Sequence, residues 1–360
     1  GKWFLPFLAA MLVGGLALIA LRSRWLRGEN QLESIVSRES AFLFNNVLFV
    51  AAAFTVFWGT IYPVVHELAT GIRLSVGPPF FNAVFIPLGL ALLGLTGIGP
   101  LISWRGMSTR ALGRVMLAPL VSGGVMMMAL AIAGIRSVGA LLAFGLCAFT
   151  AVAVGGEFAR GSRVFRRREQ LGWISALGRT LSRNRRRYGG YVVHLGVVLI
   201  VLGLSGAAFR TERHALLEPG ESMNVGSYRL TYAGSHSERT PEKQIFVTEI
   251  EVARDGRAIG TLRPQRNFHL AQRQAQSEVA IRSTPIEDLY VVVTSVDRDG
   301  SAALRSFVNP LTWWIWAGAV VMLAGMGILI SGTSGAQPAR HRSEVEVRAA
   351  RAPEPDLVAP

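Results

Sequence analysis

The sequence predicts a membrane all-α bundle of about seven transmembrane helices with a small extracytoplasmic β domain inserted before the last of them. Three observations carry this expectation. Of 360 residues, 51% are hydrophobic while 37 are Lys or Arg, a pairing typical of membrane proteins with basic loops. Seven apolar runs approach or reach the ~20 residues that a helix needs to cross a bilayer. The charges are also segregated: residues 210–307 hold 13 basic and 13 acidic side chains, so the net charge of +14 lies in short segments between apolar runs. That distribution calls for no nucleic-acid face, and the apolar content excludes an ordinary soluble enzyme.

In chain order, the runs cover residues 3–21, 41–65, 81–102, 115–135, 139–156, 191–209 and 311–330. The first lacks a small-residue cleavage site and ends in arginines, so it reads as a spanning helix and not a signal peptide. Gly at position 1 suggests a fragment or a processed chain. The fifth run is the shortest. Connections 22–40, 103–114, 157–190 and 331–360 carry 4, 3, 10 and 4 arginines, whereas 66–80 and 136–138 carry one each. The positive-inside rule puts the arginine-rich group in the cytoplasm, Gly1 outside and Pro360 inside. Residues 1–209 are thus expected to hold six helices with basic cytoplasmic loops, 210–307 the extracytoplasmic β-rich domain, 308–330 the seventh helix and 331–360 a disordered cytoplasmic tail.

The 210–307 stretch has runs rich in β-branched and aromatic residues at 228–232, 244–252 and 289–296, with turn dipeptides Asp255-Gly256 and Asp299-Gly300. A small antiparallel barrel or sandwich is expected. The Gly77-Pro78-Pro79 turn is a stiff reversal before the third run, placed to line an outer cavity.

Few residues are candidates for chemistry. Cys147 is the sole cysteine and lies in an apolar run, so any thiol chemistry must come from a partner. Of six histidines only His194 falls inside a run, where an ionisable or ligating group is costly unless it faces a partner. Two readings stand: an axial ligand to haem iron, for which a neutral imidazole in apolar surroundings is suited, or a histidine hydrogen-bonded to a neighbouring helix. A bis-histidine haem needs a second ligand, and no other run supplies one. His66, His214, His236 and His269 read as ordinary surface polar residues, since their spacing resembles no metal site. Asn45 and Asn46 read as interhelical hydrogen-bonding amides. Arg166-Arg167-Arg168 and Arg185-Arg186-Arg187 bracket a helical stretch containing Trp173, and read as topology signals that also attract anionic membrane lipids.

The strings Ser37-Arg38-Glu39-Ser40 with Asn45-Asn46, Val76-Gly77-Pro78-Pro79-Phe80-Phe81-Asn82, Arg185 through His194, and Asp288-Leu289-Tyr290 leading to Asn309-Pro310 and Trp313-Trp314 closely resemble the CcmF family, over about residues 37–330. CcmF is the haem lyase subunit of the system I cytochrome c maturation complex. The resemblance implies a subunit in the bacterial cell inner membrane, with 210–307 in the periplasm, that receives delivered haem as substrate from a periplasmic haem chaperone. It implies joining of the haem vinyl groups to the CxxCH thiols of apocytochrome c, with a thiol-bearing maturation subunit as partner. It further implies a b-type haem (haem b), supplied with electrons by quinol, with His194 as one axial ligand and the second axial histidine outside this chain. The family's tryptophan-rich haem-binding motif, its two flanking histidines and the first transmembrane ligand are absent, so only the C-terminal part is resembled. The chain is therefore expected to be inactive alone and to need the missing N-terminal part, in the same protein or as a separate chain. The rival classes are a multi-span transporter or permease, which would need polar or broken helices at the midplane, and a non-catalytic assembly scaffold.

Overall fold

The computed structural model describes residues 3–25, 37–102, 108–271, 273–297 and 299–331. The tail from residue 332 lies outside them. In order, the helices are α1 (Phe4–Leu21), α2 (Arg38–Thr70), α3 (Pro78–Ile98), α4 (Thr109–Ile132), α5 (Val138–Arg168), α6 (Trp173–Arg183), α7 (Arg185–Ser205) and, after the β domain, α8 (Trp313–Ser331). Among the described residues six helices are long and apolar enough to span a membrane: α2, α3, α4, α5, α7 and α8. The first, α1, is a shorter apolar helix, at the lower edge of a span's length.

Local chemistry sets the helix starts. Ser37, Ser108 and Ser137 each accept a hydrogen bond from the backbone N–H three residues on, capping α2, α4 and α5. Pro78 occupies the first turn of α3, where its missing N–H costs nothing. Gly71 ends α2 in the left-handed region, φ +72°.

The bundle is centred on α5, half of whose apolar window is buried, against 11–22% for the other spans. The sequence expectation of a short fifth helix is corrected: α5 has 31 residues and runs past Gly156 through Glu157 to Arg168. A charge ended the apolar run, but that charge is paired, with Arg160 of the same helix and with Arg187 of α7. The expected 157–190 connection is accordingly mostly helical, divided among α5, the short α6 and the start of α7. Asn45 and Asn46 stand on a largely uncovered face of α2, and no interhelical hydrogen bond from them is found among the described residues.

The closest helix pair is α7 with α8. Gly189, Gly196 and Gly203 recur every seven residues on α7; Gly189 meets Gly325 and Gly196 meets Gly318 of α8, while Gly203 meets Ile315. A Cβ on Gly189 would lie 2.9 Å from the Leu329 amide nitrogen, and one on Gly318 would lie 2.6 Å from the Gly196 carbonyl oxygen. Only glycine permits such backbone approach, the small-residue packing typical of membrane helices.

Between these two helices lies a sandwich of two antiparallel sheets. One runs in the order β1 (Thr211–Leu217), β10 (Ala302–Pro310), β9 (Glu287–Val296), β8 (Ala280–Ser283). The other runs β2 (Ser222–Val225), β3 (Tyr228–Arg239), β4 (Lys243–Arg254), β6 (Gln265–His269), β7 (Gln274–Glu278), with β5 (Arg257–Leu262) also on β4. The period-two pattern works as strands require: Leu289, Val291 and Val293 of β9 face Leu230, Tyr232 and Ile250 across the core. Asp255 and Gly256, at φ +50° and +78°, form the two-residue turn from β4 to β5. Asp299 accepts hydrogen bonds from the Ser301 hydroxyl and amide, which hold its carboxyl below the usual range and fix the β9–β10 turn.

Candidate functional site

His194 stands in the third turn of α7. At 3.6 residues per turn, a position two residues from Gly196 lies nearly opposite it, so His194 faces away from the glycine seam. The room beside the glycines is therefore taken by α8. On its own side the His194 ring meets Tyr191, ring centroids 6.3 Å apart, and the main chain of Thr96 on α3. Its Nδ1 is buried and has no hydrogen-bond partner. Leaving a buried polar atom so costs about 1–3 kcal/mol, and in a native structure it calls for a physical reason.

Next to this histidine is a charged cluster that the sequence reading missed. Glu157 of α5 is only 8% exposed although it sits in a spanning helix. One carboxylate oxygen accepts Arg160 Nη2 at 2.6 Å, and the other accepts Arg187 Nη2 from the first turn of α7. Arg187 Nε in turn donates to the Tyr191 hydroxyl at 2.9 Å. The rings of Phe158, Tyr188 and Tyr191 pack on one another here, centroids 5.1–6.1 Å apart, with the Arg187 guanidinium over Tyr188 and Tyr191. The result is a continuous path Glu157, Arg187, Tyr191, His194. The sequence does show a glutamate with arginine three residues on, a helical ion-pair spacing. It does not show that a second arginine 30 residues later closes on it.

The other candidates are dispersed. His66, near the end of α2, contacts the Ile72 carbonyl and the Thr70 hydroxyl through Nδ1. In the β domain His214 pairs with Glu212 at 2.6 Å and His236 with Glu238 at 3.5 Å. His269 ends β6, opposite Gln274 of β7. His341 lies outside the described residues. Among the described residues no three His, Cys, Asp or Glu side chains come together as a metal site. Cys147 is buried and donates weakly to the Val198 carbonyl.

At the α2–α3 turn, Gly77 and Pro79 do line a cavity, of about 510 Å³, with Trp58, Tyr62, Leu74 and Phe80. Along α2, Phe54, Trp58, Tyr62 and His66 recur every four residues, with successive ring centroids 6.2, 5.9 and 5.9 Å apart.

Fold and site define a polytopic helical membrane protein with a β sandwich inserted between two glycine-packed helices and a histidine in one of them. Residues 208–310 match the family model described as the CcmF C-terminal beta-sandwich. Across 355 residues the chain is 31% identical to the cytochrome c-type biogenesis protein CcmF of Pseudomonas aeruginosa and 32% to that of Pseudomonas fluorescens, covering 97% of this chain and 51% and 50% of those proteins. CcmF of Escherichia coli is 28% identical over 327 residues, 90% of this chain and 48% of that protein. A solved structure titled cytochrome c heme lyase CcmF superposes with a TM-score of 0.65 at 26% identity, over 82% of this chain and 46% of that one. The chain is similar to the C-terminal half of the CcmF-type cytochrome c biogenesis proteins. It spans about half the length of the relatives it matches.

Proposed function

We propose that this chain is the C-terminal part of a membrane haem lyase, which helps to attach delivered haem covalently to the CxxCH thiols of apocytochrome c. The reading rests on kinship with proteins named for cytochrome c biogenesis and haem lyase activity. One observation carries it into this chain: His194, the histidine of α7, has a buried ring nitrogen without a partner. An imidazole in this apolar setting suits an axial ligand to the iron of a b-type haem, with the second axial histidine supplied from outside the chain. The Tyr191 ring and the α3 main chain at Thr96 offer the His194 ring a fixed orientation.

A bound b-type haem would supply one-electron chemistry, with quinol as donor, to keep the substrate iron reduced. The residues here hold and orient; thioether formation needs a vinyl group and a thiol placed together, which is a positioning task. No cysteine of this chain serves, because Cys147 is sealed among α5 and α7. The thiols belong to apocytochrome c and to a thiol-bearing maturation subunit. In this reading the β sandwich is periplasmic, in the bacterial inner membrane's outer compartment, and offers its faces to the haem chaperone and these partners. Membrane lipids meet the arginines flanking α6, where Trp173, Ile174 and Leu177 are exposed and Arg166 stacks on Trp173 at 4.6 Å.

The test is His194→Gly in a protein that carries the N-terminal half as well. Haem content should fall, and added imidazole should restore part of it by entering the vacated coordination position. An unchanged reduced b-type spectrum at matched protein level would refute the ligand assignment.

A further inference from the structure

We propose that the Glu157–Arg187 pair is an electrostatic bracket that sets the reduction potential of an iron held by His194; the proposal rests on the ligand reading above. An ion pair at this place needs explaining, because a carboxylate in a spanning helix is costly unless paired and tends to mark function. The pair does more than neutralise itself. Arg160 already satisfies one oxygen of Glu157, so recruiting Arg187 leaves the group with one net positive charge. Arg187 also points that charge along α7, donating to the hydroxyl of Tyr191, whose ring contacts His194. Seven residues separate Arg187 from His194, a rise of about 10 Å at 1.5 Å per residue; Arg187 is half exposed at the end of α7, so its charge acts over that distance screened as for a surface pair and not at interior strength. The surrounding Phe158, Tyr188 and Tyr191 rings limit solvent on that side.

The consequence has a sign. A nearby cation disfavours the oxidised iron, which carries one more positive charge, and so raises the potential; a nearby carboxylate opposes it. Arg187→Gln removes a positive charge from the bracket, and Glu157→Gln removes the negative one. A brace that acted only by packing would be weakened alike by either change.

The experiment is a spectroelectrochemical titration of the b-type haem in the protein carrying its N-terminal half, wild type against Arg187→Gln, Glu157→Gln and Arg187→Lys. The expected result is a lower midpoint for Arg187→Gln, a higher one for Glu157→Gln and a near wild-type value for Arg187→Lys, which keeps the charge without the fork geometry. Shifts of the same sign, or none, in proteins that retain the b-type spectrum would overturn the bracket and leave His194 as ligand. A spectrum indifferent to His194→Gly overturns both. Protein yield and the Soret intensity distinguish a misfolded variant; should Arg187→Gln misfold, a midpoint raised in Glu157→Gln and unmoved in Arg187→Lys still supports the bracket, and one unmoved or lowered in Glu157→Gln overturns it.

Discussion

Leu289 shows how a single residue connects the sequence pattern to stability. It is fully buried between the two sheets, with Val291 and Val293 at the next positions of the same face. Truncation there removes buried methyl groups and leaves a cavity that a close-packed sandwich only partly collapses. Leu289→Ala should cost about 2–5 kcal/mol, read as faster hydrogen exchange of the β9 and β10 amides in the detergent-solubilised chain. Unchanged protection would show that the strand is held by its ladder bonds and not by the core. The neighbouring Asp288 and Tyr290 belonged to a family string, and the structure places them on the opposite face of β9 from that core. At this scale the sequence singles out a residue type that is rare for its setting, as with His194, a histidine within a spanning helix. It was not legible where meaning depends on a distant partner: nothing near Glu157 in the chain announces Arg187 or Tyr191.

Elements were readable in proportion to how local their causes are. Apolar runs of adequate length became helices, and dipeptides such as Asp255-Gly256 became turns, because length and left-handed backbone preference act within a few residues. The end of α5 was misread because the apolar run stops at a charge that the folded chain pairs, with Arg160 one turn on and with Arg187 of α7. What meets the α7 glycines is a matter between helices: it is α8, more than a hundred residues further along the chain. The same geometry gives an internal control. Gly196 has the Gly318 carbonyl and Met322 amide against it, whereas nothing lies within 4 Å of a Cβ at Gly190. Gly196→Leu should therefore lower the thermal stability of the detergent-solubilised chain by at least the ~1–3 kcal/mol typical of overpacking, while Gly190→Leu should leave it nearly unchanged. Equal effects would mean that helix propensity, and not the α7–α8 seam, dominates at both positions.

For the whole molecule the question is which parts lie on which side of the membrane, and α7 answers it with one measure. Its N-terminal turn carries Arg185, Arg186 and Arg187, next to α6 and the arginine-rich end of α5. Its other end leads through a short 3-10 turn into β1. Twenty-one residues of helix, about 30 Å at 1.5 Å per residue, separate the two, which is the thickness of the hydrocarbon core. A helix this apolar can cross only by placing the basic cluster at one surface and the sandwich at the other. The second helix of the seam agrees, since α8 leaves β10 beside Trp313 and Trp314, aromatic residues of the kind that favour an interface. On the positive-inside bias the direction we propose has α6 cytoplasmic and the sandwich outside. A reporter active only outside the cytoplasm should be active when fused after Gly256, in the β4–β5 turn, and silent after Gly172, just before α6. The same activity at both positions would mean that α7 does not span, and would remove the ground for placing the sandwich where haem and apocytochrome meet.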